Sequence, residues 1–168
     1  MRRKTLAILA ACAGVIGGAL ISPLGGALAG HTNTVLTASL DGRQEVATDA
    51  GNRSMVGDPN GRGKAFVFGI DGDPNTLCYV LTVKKIAPAA AAHIHEAPVG
   101  VNGPIVVNLA APADGDAADC LTEGEAGKFP TGESGIVQRI LANPEDFYVN
   151  VHNADFPDGA IRGQLGTL

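Results

Sequence analysis

The sequence predicts an all-β domain, an antiparallel β-sandwich or flattened Greek-key barrel. Three observations carry that reading. The 168 residues include 23 glycines and 10 prolines, far too many chain breakers for a helical bundle. Apolar residues alternate with period two over short runs, and turn chemistry separates those runs. Helical periodicity is confined to one brief stretch near the end.

The elements follow in order. Thr34 to Leu40 places Leu36, Ala38 and Leu40 on one face of a first strand. Asp58-Pro59-Asn60-Gly61 is a turn, after which Lys64 to Ile70 sets Phe66, Phe68 and Ile70 against Ala65, Val67 and Gly69. Asp71-Gly72-Asp73-Pro74-Asn75 is a second turn, leading into a β-branched strand from Leu77 to Ile86. His93 to Glu96, Pro104 to Leu109, Phe147 to His152 and Ala160 to Leu165 complete the set. Residues 111–133 are rich in Pro, Gly, Asp and Glu and read as a long surface loop tied down at Cys120. Ser134 to Leu141 has helical spacing, and Asn143-Pro144 stops it.

Residues 1–29 read as a secretory signal peptide, with residues 30–168 as the single mature domain. Arg2, Arg3 and Lys4 precede an apolar run from 5 to 22, and Ala27-Leu28-Ala29 supplies small-x-small cleavage chemistry. Leu9-Ala10-Ala11-Cys12 is similar to a lipobox, but it lies too close to the charges and the apolar run continues well past it. Arg2-Arg3 lacks the rest of a twin-arginine signal. No later stretch reaches the roughly 18 apolar residues of a spanning helix. The expected location is secreted or extracellular, with the cell envelope as the other destination.

Charge and composition remove several function classes. The chain carries 12 basic and 17 acidic side chains, a net charge of −5. Residues 1–29 hold three of the bases and no acid, so the mature chain carries −8. That balance repels nucleic acid and anionic lipid. With no Trp, two Tyr and five Phe, base-stacking platforms and aromatic cages lack material.

Export changes the meaning of the cysteines. Cys12 leaves with the signal, and Cys78 and Cys120 remain as an even pair in an oxidising compartment, which predicts one disulfide. They lie 42 residues apart, so closing that loop contributes roughly 3–4 kcal/mol. The alternative is two buried free thiols.

The histidines carry the chemistry. His93 and His95 flank Ile94, so a strand puts both imidazoles on one face, roughly 6.5–7 Å apart at Cα. In the run 147–152, Phe147, Val149 and Val151 take the core side and send His152 the other way, with Tyr148 and Asn150. If the two strands are neighbours, three imidazoles converge on an outward patch that suits copper or zinc. Neutral imidazole is the binding form, so affinity weakens as pH falls toward 6. Glu96 is a candidate to orient a ligand histidine from behind. The bland alternative is a set of surface histidines bonded to loop carbonyls.

Other motifs fail on chemistry. Asp71-x-Asp73-x-Asn75 begins like a calcium loop, but Thr76 and Thr82 stand where Gly and Glu are needed. The glycines from 57 to 63 lack a phosphate loop's Gly-Lys-Ser/Thr. Ser54 and Ser134 have no histidine pattern to activate them. The acids Asp114, Asp116, Asp119, Glu123 and Glu125 form a solvated loop face. Cleavage after Ala29 would leave Gly30-His31 as a terminus able to grip Cu(II).

Several motifs occur together and in order: Gly57-Asp58-Pro59-Asn60-Gly61, Cys78-Tyr79-x-Leu81-x-Val83, Ala92-His93-Ile94-His95, Gly100-Val101-Asn102-Gly103-Pro104, and Tyr148 to His152 through Ile161 to Leu165. Over roughly residues 34–166 the chain resembles the CHRD domain, named for repeats in chordin and widespread as single copies in secreted bacterial proteins. That resemblance implies an extracellular β-rich module and no particular reaction. A second likeness is to copper–zinc superoxide dismutase, whose copper strand His-Val-His-Glu is similar to His93-Ile94-His95-Glu96, with a later Val-His matching Val151-His152. It implies a superoxide-dismutase-like fold and copper ligation by His93, His95 and His152. No histidine lies between 96 and 151, so that enzyme's bridging and zinc ligands have no counterpart. Arg162 falls on the His152 side of its strand, a weak match to the anion-steering arginine.

Three functional readings follow. The first is a non-enzymatic secreted module with a three-histidine copper or zinc site. The second is a metal-free module that binds an extracellular or cell-envelope protein. The third is a copper-dependent redox enzyme with an anion path past Arg162.

Overall fold

The computed structural model describes residues 35–48 and 56–168. The expected signal segment, Gly30-His31 and Ser54 lie outside the described residues. In chain order the strands are β1 (Leu36–Asp41), β2 (Arg62–Ile70), β3 (Asp73–Lys84), β4 (Ala89–Glu96), β5 (Ile105–Leu109), β6 (Asp116–Thr122), β7 (Phe147–Asn153), β8 (Ile161–Gln164) and β9 (Gly166–Thr167). Among the described residues one α-helix, α1 (Ile136–Ala142), precedes β7.

All strand pairs are antiparallel, in the order β5-β4-β7-β8-β1-β2-β3-β6, with β9 added beside β1. The sheet curls until its ends nearly meet. Tyr79, one strand in from the β6 edge, accepts a 2.8 Å hydrogen bond from the Ala110 N–H just beyond the β5 edge. The concave side holds the core: Leu36, Leu40, Val67, Leu77, Leu81, Ile94, Val149, Val151 and Ile161 are all buried there. Each such side chain stabilises the fold by roughly 1.5–3 kcal/mol.

Helix α1 closes one end of that core. Ile136, Val137 and Ile140 are fully buried. Its first turn has no side-chain cap from its own N-cap residue, Gly135, which adopts φ 81°. Glu123 supplies the acceptors instead, taking the Gly135 and Val137 N–H groups at 2.7 Å each. Glu123 therefore leaves the solvated acidic face expected for it.

The expected long loop, 111–133, carries a strand in its middle. β6 pairs with β3 from Thr76↔Thr122 to Thr82↔Asp116. Its acids sit on an exposed edge, where charge discourages pairing with other chains, so a polar composition disguised a strand. The Cys78–Cys120 disulfide joins directly opposed positions of that pair, with Cα atoms 4.0 Å apart. Two further differences are local. The alanine run before His93 is the first half of β4, and the turn expected over 71–75 contracts to a tight one at Asp71-Gly72, where Gly72 takes φ 75°.

Candidate metal centre

The strands carrying the histidines are neighbours. In the β4–β7 register His93 lies opposite Asn150, His95 opposite Tyr148, and His152 opposite Ala91. Ile94, Val149 and Val151 fill the core, so alternation sends His93, His95 and His152 to the far face. One ring nitrogen from each lies within 4.8 Å of the others.

That face is a covered pocket, and in this it departs from the expected outward patch. Residues 97–104, between β4 and β5, fold back over it, leaving His95 only 8% exposed. Gly103 sits so close to β4 that a Cβ there would lie 2.0 Å from the Glu96 carbonyl oxygen. The strap is held by side chains of the pocket itself. The Gly103 N–H donates to the Tyr148 hydroxyl at 3.3 Å, and Gln164 donates to the Ala97 carbonyl at 3.0 Å. Arg162 donates to Asn102 Oδ1 at 3.1 Å and to the Val101 carbonyl at 2.8 Å.

Backbone carbonyls fix two tautomers. His95 Nδ1 lies 2.9 Å from the Gly103 oxygen and His152 Nδ1 lies 3.0 Å from the Pro157 oxygen. A carbonyl only accepts, so each Nδ1 carries the proton and each Nε2 presents a lone pair. His95 Nε2 is buried without a hydrogen-bond partner. His93 Nδ1 and His152 Nε2 approach to 3.2 Å. Two nitrogens bound about 2.0–2.1 Å from one tetrahedral ion would lie about 3.3 Å apart, so this pair already has the spacing of a ligand edge.

All three imidazoles are held neutral. Burial pushes His93 down to about 4, with the neighbouring His152 and His95 adding to the effect. Burial likewise lowers His95 and His152, although the Gly103 and Pro157 carbonyls pull the other way. The lone pairs a metal needs are thus present throughout the neutral range.

Tyr148 organises the pocket floor. Its ring stacks on His95 at 4.7 Å with an interplanar angle of 5°, and the Arg162 guanidinium carbon lies 3.3 Å from the same ring's centre. Arg162 is 2% exposed and faces the strap, so the structure shows it as a fastening and not as the lining of an open path. Glu96 turns to Arg139 of α1, 2.7 Å away, and among the described residues it bonds no histidine. Glu45 is a pocket residue that no sequence motif announced. Burial pushes its carboxyl up to about 8, against the opposing pull of Arg162 and Asn150. Its carboxylate oxygens occupy the space a Cβ at Gly159 would need, and Gly159 adopts φ 143°. Tyr148 and Asn150 share a face with His152 by alternation alone, and the strap coincides with the Gly100-to-Pro104 motif.

The family model for the CHRD domain matches residues 36–165, which takes in every strand of the sheet except β9. The chain belongs to the CHRD family. No curated protein and no solved structure matches it. The histidine pocket lies wholly within the CHRD domain, between strands four and seven of its sheet.

Proposed function

We propose that this CHRD domain is a secreted, non-enzymatic module that holds one copper or zinc ion on His93, His95 and His152. The observation that carries the reading is the buried, partnerless Nε2 of His95, directed by the Gly103 carbonyl into a group that includes His93 and His152. A buried polar atom without a partner is costly, and a metal ion would satisfy it. His93 would change tautomer on binding, giving up its Nδ1 proton now shared with His152. The strap and the Tyr148 stack fix the rings before any ion arrives, which suits storage or stabilisation better than turnover.

The test is elemental mass spectrometry of the mature protein, followed by copper and zinc titration. About one ion per chain, lost in His93→Ala and in His152→Ala, supports the reading. Full metal content in both variants would overturn the assignment of the ion to these histidines, and no uptake by the parent would return the domain to the metal-free interaction reading. The His93–His152 hydrogen bond favours that second reading, because it satisfies two of the three rings without an ion.

A further inference from the structure

The convex face of β2 and β3, away from the histidine pocket, carries a second set of features. Ala65 and Val67 face the core, so alternation sends Arg62, Lys64, Phe66, Phe68 and Ile70 outward along β2. Lys84, Thr82 and Val80 share that face on β3. Arg62 and Lys84 are direct register partners, which puts two cations opposite each other at about 4.5–5.5 Å between Cα atoms. Lys64 follows roughly 6.7 Å along β2. Like charges so placed repel in the folded chain, and no carboxylate among the described residues lies within 4.0 Å of any of the three. Asp41, the register partner of Arg62 on β1, is committed to its own turn through the Arg43 N–H and the Gln44 amide.

These residues line a groove of about 390 Å³ formed by Arg62, Gly63, Lys64, Thr82, Val83 and Lys84. Arg62 uses Nη1 on the Pro59 and Gly61 carbonyls, and its other donors have no hydrogen-bond partner among the described residues. The Lys64 ammonium lies 5.4 Å from the centre of the Phe66 ring. Beyond it the apolar surface continues over the half-buried Phe66 and Phe68 to the exposed Val80 and Ile70.

We infer that this groove, together with the Phe66 surface beside it, binds a carboxylated oligosaccharide, with the acid groups on Arg62, Lys64 and Lys84 and a sugar face against Phe66. The Cα atoms that carry the cations lie about 5–7 Å apart, so their long side chains can reach acid groups spaced on the scale of about one sugar residue. The groove has the size of a small-ligand site. Strand β2 is paired on both sides, to β1 and β3, so its backbone offers nothing to an extended peptide. What remains is ion pairing beside a flat apolar surface, the chemistry that recognises sugar acids. The net negative charge of the chain is no obstacle at contact range, because charges beyond about 8–10 Å are screened at physiological salt.

Calorimetric titration of the mature protein with tetragalacturonic acid tests the inference. Binding is expected, at least tenfold weaker in Lys64→Gln/Lys84→Gln, weaker in Arg62→Gln, unchanged in Lys128→Gln, and falling with added salt. Unaltered melting curves for the variants would tie the losses to the groove. Equal affinity for the fully methyl-esterified tetramer, for a glutamate peptide of the same charge or for inorganic phosphate would overturn it. So would binding to phosphatidylglycerol vesicles with none to the oligosaccharide, or full binding by the double lysine variant.

Discussion

Two side chains of the pocket, the buried Glu45 and the half-buried His93, titrate in opposite senses, and their signs can be worked out one at a time. Glu45 has a folded value near 8 against an ordinary 4.5. Between those values the folded chain holds a proton that the unfolded chain has released, so Glu45 destabilises the fold as pH rises from 4.5 to 8. Glu45→Gln keeps the shape and removes the titration. Its melting temperature is expected to exceed the parent's at pH 8 and to approach it at pH 5. His93 has a folded value near 4 against 6.5. There the unfolded chain binds the extra proton, so stability falls as pH drops from 6.5 to 4, and His93→Gln is expected to flatten that acid limb. Thermal melts across pH 4 to 8 check both, and parallel profiles for parent and variants would refute them. The histidines were legible because strand alternation fixes which side a residue takes. Glu45 was not, because its role depends on a fold that brings residue 45 against Gly159, more than a hundred positions away.

The same distinction between local and distant information runs through the elements. Strands β1, β2, β3, β5, β7 and β8 show themselves by alternation and turns, and α1 by its apolar spacing, since those signals lie within a few residues. β6 does not: its residues are mostly exposed, and its strand conformation comes from pairing with β3 and from the bridge at Cys120. The prediction for this element is therefore specific. Cys78→Ala/Cys120→Ala is expected to cost roughly 2–4 kcal/mol, with accelerated hydrogen exchange concentrated in Asp116–Thr122 and the flanking edge of β3. Uniform acceleration over the whole sheet would show that β6 does not depend on the bridge. For α1 the dependence runs through Glu123. Glu123→Gln retains the shape but weakens two charge-assisted bonds to the first turn, an expected loss of about 1–2 kcal/mol in urea denaturation.

At the scale of the whole molecule, the histidine pocket joins distant parts of the chain. β4 and β7 supply the rings, β8 supplies Arg162 and Gln164, and the strap from 97 to 104 is fastened to all three strands. An ion on the three histidines would therefore tie together β4 and β7, which lie between the β5 edge and the rest of the sheet. Binding only to the folded state stabilises it by about 2.7 kcal/mol when free metal is a hundred times the dissociation constant. For a domain of this size that corresponds to a rise of roughly 5–10 °C in melting temperature. The rise is expected at pH 7.5 and should shrink as pH falls and protons compete for the nitrogens, with the weakly basic His93 the last to protonate. Calorimetry with and without a chelator measures it directly. Tyr148→Phe sharpens the outcome, because it keeps the ring under His95 but removes the hydroxyl that accepts from Gly103. If the strap is what preorganises the site, this variant loses part of the metal-dependent shift while retaining one ion per chain. An undiminished shift would mean that the strand register alone sets the ligand geometry.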